Sequence, residues 1–237
     1  MKQLHPIQLG ILKKLLFTNQ ARYTDIKPSP QIENNQFQFH LESLVNRGYV
    51  NKTGDGYQLS VRGKEYAGRI DTEGEVKIIR QAKIGAFVCP IRKTSDNQTE
   101  VLMYTRLKQP FYGSQGFMSG KIEYGESIID GAKRELFEET GLTGEPEIVA
   151  IKHYLVSNDK NEIIEDKLIF WCRAMNPTGN LKANNEGDFY WININDIDQK
   201  ITKPFETIDV VHAQIKTYLE FNGVITFEEL LQTTSDF

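Results

Sequence analysis

Residues 120–142 read GKIEYGESIIDGAKRELFEETGL, and a helix can be recognised in this stretch from both of its ends. Ser127 is a favoured N-cap residue type, and Glu126 lies beside it at the positive end of the helix dipole. Gly141 stands where a left-handed C′ glycine ends a helix. At 3.6 residues per turn, Glu135, Glu138 and Glu139 share one face, because residues three and four apart are neighbours. Ile129, Ala132 and Leu136 form the adjoining apolar stripe, which predicts burial against a sheet.

Three carboxylates on one face repel one another unless something positive lies among them. Arg134, at i,i+4 from Glu138, is one such group, but a single Arg leaves charge uncompensated. Carboxylate oxygens suit hard divalent cations, Mg²⁺ or Mn²⁺ above all. On charge alone, a cation site and a solvated acidic helix face are both open readings.

Spacing adds to charge. Gly120, Glu126, Arg134, Glu135, Leu136, Glu138, Glu139, Gly141 and Leu142 resemble the Nudix box at every defining position. The resemblance implies an α/β fold, the Nudix α/β/α sandwich with a mixed sheet. It also implies Mg²⁺-dependent hydrolysis (with Mn²⁺ as the other ion) of a nucleoside diphosphate linked to another moiety. By the same resemblance, Glu135, Glu138 and Glu139 bind metal together with the Gly120 carbonyl, Arg134 orients the carboxylates, and Glu126 supports them. The general base is Glu138, Glu139, or Glu186 in the loop NNEGDFYW.

Around the box, Arg106 and Lys121 are candidate phosphate contacts or plain surface charges. Phe111, Tyr112 and Phe117 in the preceding loop, and Tyr190 later, are candidates for stacking on a base or for core packing. The histidines at 5, 40, 153 and 212 show no zinc-ligand spacing.

The 237 residues suffice for one large domain or two small ones. A hydrophobic content of 39% with 25% charged residues describes a soluble globular chain. No apolar run approaches the ~20 residues of a membrane helix, and the N-terminus lacks a signal-peptide core. No membrane partner and a cytoplasmic location are therefore expected. Cys89 and Cys172 lie in apolar, strand-like runs and read as buried thiols, although one bridge between them stays open.

Charge is distributed unevenly. Residues 1–70 hold ten Lys and Arg against five Asp and Glu, a balance of +5, so the remainder carries −4 − 5 = −9. A basic segment joined to an acidic one suggests two domains, placed at 1–72 and 77–237 with the boundary in DTEGEV, residues 71–76.

In the first domain, helical spacing over residues 6–17, a short helix in ARYTDIKPSP, a helix over 33–47, a hairpin through YVNKTGDGYQLS and a helix over 61–70 are expected. The order resembles a winged helix-turn-helix domain. In that reading Gln36, Gln38, His40 and Asn46 meet bases while Arg47, Lys52, Arg62 and Lys64 meet DNA phosphates. Dimerisation or shaping of the substrate site is the alternative, and a homodimer is expected.

In the second domain, strands are expected over 78–91, 100–107, 147–157, 163–174 and 188–192, with a last helix over 208–221. Two functions follow: a hydrolase of an ADP-ribose-like compound or a (d)NTP, or a transcriptional regulator that senses a nucleotide metabolite and binds DNA.

Overall fold

The computed structural model describes residues 4–70, 80–109, 111–182 and 185–234. The expected boundary at 71–76 and the strand start at 78–79 fall outside these. The chain divides into two compact units, Met1–Arg80 and Gln81–Phe237.

The first unit contains α1 (Pro6–Leu16), α2 (Asn34–Asn46), the hairpin β1 (Val50–Thr53) and β2 (Gly56–Leu59), and α3 (Val61–Ala67). His5 caps α1 through its ring, with Pro6 in the first turn. Ile11, Leu12 and Leu15 of α1 pack with Phe37, Leu41 and Leu44 of α2 in one core.

The helix expected in ARYTDIKPSP does not form; the segment is a run of turns. Pro28 and Pro30 remove amide donors and disfavour helical backbone before them. The chain instead docks Ala21 on the hairpin, exchanging 3.0 and 2.9 Å backbone bonds with Tyr57.

His40, expected at a base edge, is buried and stacks on His5 at 4.2 Å. Burial, and secondarily His5, holds its pKa low. Arg62 is committed as well, donating to the Arg47 carbonyl at 3.1 Å and lying over the Tyr49 ring.

The second unit is built on one mixed sheet. Its strands are β3 (Lys83–Lys93), β4 (Thr99–Arg106), β5 (Gln115–Gly116), β6 (Met118–Lys121), β8 (Pro146–Ser157), β9 (Ile163–Met175), β11 (Gly187–Asn193) and β12 (Thr226–Thr233). The strand order is β11-β4-β3-β9-β8-β12, with β5 on β4 and β6 on β3. β3–β9 and β8–β12 are parallel; the other pairs are antiparallel. A small ribbon, β7 (Leu142–Thr143) with β10 (Thr178–Gly179), stands apart.

Helices cover both faces: α4 (Ile128–Thr140) one, and α6 (Ile208–Leu219) the other, with a 3₁₀ turn and the short α5 (Ile197–Lys200) before α6. Strict alternation sorts the side chains between the two layers. Ala86 and Val88 of β3, Leu102 of β4 and Cys172 of β9 join Ala132 and Leu136 of α4. Phe87, Cys89, Met103, Ile169 and Trp171 face the other way, toward Val211, Ile215 and Tyr218 of α6. Cys89 and Cys172 thus lie in opposite layers, and both are free thiols. Each fully buried Leu or Ile contributes about 1.5–3 kcal/mol to this sandwich.

The strand directions bring several chain ends to one edge of the unit. β3, β9 and β11 begin where β4, β6, β8 and β12 end, as the pairings Lys83↔Lys167, Gly85↔Lys121, Gly187↔Arg106 and Thr233↔Ser157 require. Among the described residues, no helix is long and apolar enough to cross a membrane.

Candidate active site

The α4 helix is held at both ends as its residue types dictate. Ser127 accepts a bond from the Asp130 amide at 3.1 Å, and Gly141 closes the helix at φ 75°. Its apolar side, with Ala132 and Leu136 fully buried, fixes the rotation of the helix, so Glu135 faces β6. Gly120 is the required partner there: a Cβ on it would meet the Glu135 carboxylate carbon at 2.0 Å.

Arg134 ties the acidic cluster together. Its Nε and Nη2 bind the two Glu126 oxygens at 3.1 and 2.7 Å. Nη1 reaches Glu135 at 2.9 Å and Glu138 at 3.1 Å, while Nη2 also donates to the Lys121 carbonyl at 2.8 Å. The carboxylates, Glu126 foremost and then Glu135, hold the Arg134 pKa far above its ordinary value. In return Arg134 pulls the Glu126 pKa down, aided by the Glu123 amide.

Glu139 is the exception. Burial foremost, then the nearby Glu135, pushes its pKa up to about 7, against the pull of Lys108 and Arg106. Lys108 is also ion-paired with Glu186, which places Glu186 at this same edge.

Among the described residues, no three acidic, His or Cys side chains are already gathered as a metal cage. Glu135 and Glu138 turn to Arg134 instead. The donor set nonetheless fits a hard divalent ion. It is all oxygen, it sets Glu135 close enough to Glu139 to add to the effect of burial on that carboxyl, and Glu138 has its side chain 58% exposed beside Arg134.

A cavity of about 550 Å³ opens beside Gly120. Arg106, Lys121, Phe111 and Phe117 line it, as does Lys108. Tyr112 does not: it is 55% exposed, and its carbonyl accepts from Lys203 Nζ. Tyr190 also stays out of the wall, its hydroxyl bonded to Gln115 Nε2 at 2.7 Å. Gln115 further accepts from the Thr202 and Lys203 amides, which holds the loop that carries Phe205 into the wall.

Sequence reading passed over Lys108, Gln115, Glu165, Lys167 and Phe205. Apart from Glu165 and Lys167, which share β9, they come from separate strands and loops, and no local motif joins them. The one available signal was a charged run, Glu165-Asp166-Lys167, ahead of the apolar stretch Leu168–Cys172 in the same strand.

A mixed sheet between two helical layers, with a carboxylate-bearing helix at one edge, is an α/β/α sandwich built around an oxygen-rich acidic site. The model of the NUDIX domain family matches residues 83–213, more than half of the chain. The chain belongs to the Nudix family.

An uncharacterized Nudix hydrolase of Bacillus subtilis (strain 168), YvcI, is 32% identical over 93 residues. That match covers 38% of this chain and 58% of YvcI, less than two thirds of the relative. The MutT protein of Bacillus halodurans shares the fold, with a TM-score of 0.50 and 21% identity over 65% of this chain and 93% of its own. The NUDIX domain of Shewanella oneidensis NrtR, solved with ADP ribose, gives a TM-score of 0.48 at 18% identity, covering 64% and 95% of the two chains.

Proposed function

We propose that this chain is a divalent-metal-dependent pyrophosphohydrolase, with Mg²⁺ as the working ion, cleaving the diphosphate of a nucleoside diphosphate derivative or nucleotide. The observation that carries this reading is the carboxylate cluster organised by Arg134, packed on Gly120 in the wall of a cavity also lined by Arg106, Lys108 and Lys121. The acidic cluster suits a metal and the basic rim suits phosphate oxygens.

Glu135, Glu138 and Glu139, with the Gly120 carbonyl, would hold the ion. When bound, it neutralises charge on phosphate oxygens and acidifies a coordinated water. Arg134 keeps Glu135 and Glu138 from scattering before the ion arrives. The proton of the attacking water passes to a carboxylate at this edge, Glu138, Glu139 or Glu186. Arg106, Lys108 and Lys121 orient the diphosphate, and Glu186 fixes the Lys108 ammonium.

The test is release of nucleotide and phosphate from a panel of NDP-sugars, dinucleotides and (d)NTPs with Mg²⁺, run beside Glu138→Gln. Because Glu138 is largely exposed, the variant should melt at the wild-type temperature. Its kcat/KM should fall about 100-fold or more, the scale of one lost transition-state charge contact. Full activity in Glu138→Gln contradicts the metal assignment.

A further inference from the structure

The cavity beside Gly120 does not end at the diphosphate site. A second lobe of about 500 Å³ continues from it, and the two share Phe111, Phe205, Glu165, Lys167 and Glu206 in their walls. The first lobe includes Arg106 at the end of β4, and the second reaches Val156 at the end of β8 and Thr233 on β12. From β4 to β12 is four strand spacings, about 19 Å at ~4.8 Å each.

Charge differs along this groove. Beside Gly120 the lining cations Arg106, Lys108 and Lys121 suit a diphosphate. Where the lobes meet, Lys167 stands against Glu165 and Glu206 in both walls, and Lys83, which lines the first lobe alone, reaches in through Glu165. Glu165 is held between the two lysines, at 3.3 Å from Lys83 and ion-paired with Lys167, and its side chain is only 12% exposed. A carboxylate has about four acceptor sites and an ammonium three donors, so both kinds keep capacity for a ligand. Interleaved acceptors and donors with no excess of positive charge match adjacent hydroxyl groups. A third phosphate placed there would instead meet two carboxylates.

We propose that this junction selects a nucleoside diphosphate linked to a neutral polyhydroxylated group, a sugar, over a nucleoside triphosphate, with Glu165 as the residue that reads the hydroxyls. The inference rests on the hydrolase reading of the site for its chemistry, but not for its preference between ligands. A site built to bond a hydroxyl discriminates against ligands that lack it, because its own buried polar groups are then left unpaired.

The experiment compares ADP-ribose with dATP, and GDP-mannose with dGTP, on the wild type, Glu165→Gln and Lys167→Met. Initial rates with Mg²⁺ and calorimetric binding are both read. At least one sugar-linked probe should exceed its triphosphate counterpart by 10-fold or more. Glu165→Gln should weaken that probe about 10- to 100-fold, in KM rather than kcat, while leaving the triphosphate unchanged or improved. Lys167→Met should act in the same direction, which covers the case in which Glu165→Gln fails to fold. Tighter binding of triphosphates by the wild type, equal losses for both ligand types in the variants, or binding of no probe would each overturn the inference. Preferential sugar-nucleotide binding without turnover would contradict the hydrolase reading alone.

Discussion

Glu135 occupies the space that a side chain on Gly120 would need, its carboxylate carbon lying 2.0 Å from where a Cβ would stand. The two residues come from different elements, β6 and α4, and the fit between them sets where the acidic face of the helix meets the strand. Gly120→Ala is therefore expected to displace Glu135. Overpacking of this kind costs about 1–3 kcal/mol, seen as a lowered Tm. Misplacement of a reacting group by ~1 Å costs on the order of 100-fold in rate, so kcat/KM should fall by at least that factor. Unchanged kinetics would show that Glu135 needs no such seat.

Arg134 serves three carboxylates and one carbonyl with a planar fork that Lys cannot reproduce. Arg134→Lys keeps the charge and loses most of these bonds. A loss of about 1–3 kcal/mol is expected, together with a weaker apparent affinity for Mg²⁺ in activity titrations. A variant with wild-type stability and metal dependence would mean that the carboxylates are placed by α4 alone.

Much of this helix could be read in the sequence. Ser127 and Gly141 cap it, Ala132 and Leu136 bury it, and the glutamates fall where 3.6 residues per turn put them. These are local rules, written within one turn of the residues concerned. The second lobe of the groove was not legible, because Val156, Glu165, Phe205 and Thr233 meet only through the tertiary fold. The pairing of β3 with β9 joins residues more than 80 positions apart, and nothing local announces it. β12 escaped for another reason: TFEELLQT is rich in Glu, Leu and Gln, which favour helix over strand, and its strand state is imposed by pairing with β8.

Glu139 links the site to pH. Its folded pKa of about 7 lies above the ordinary carboxylate value of 4.5, so between these limits the folded metal-free chain binds more protons than the unfolded one. Stability must then fall as pH rises from about 4.5 to about 7, and level off above that, by on the order of 1–3 kcal/mol. Glu139→Gln should remove this slope and stabilise the metal-free protein at pH 8. Denaturant melts across the range, in the presence of a chelator, check both. A flat profile in the wild type would contradict the burial of Glu139.

His153 gives a slope in a different window. Its ring nitrogens face Asp166 at 3.0 Å and Glu229 at 3.2 Å, an arrangement that only the doubly protonated ring satisfies at both ends. These bonds, Asp166 first and then Glu229, raise its pKa above 6.5. The stabilisation is fully present below 6.5 and is lost as pH rises through the folded value. Since Glu229 lies on β12 and His153 on β8, the β12 amides should exchange faster with solvent once His153 deprotonates. His153→Gln should remove that pH dependence in hydrogen-exchange measurements. Identical exchange of β12 in both proteins at all pH values would show that the pairing with β8 needs no help from His153.

The most direct test of the central claim is the metal dependence of hydrolysis. The protein is stripped with EDTA, presented with a nucleoside diphosphate sugar, and titrated with Mg²⁺ while the two phosphate-containing products are resolved. Cleavage between the two phosphorus atoms, absent in EDTA, restored by Mg²⁺ and lost in Glu138→Gln, is the predicted result. Equal turnover with and without the chelator, or cleavage that persists in Glu138→Gln, would contradict it.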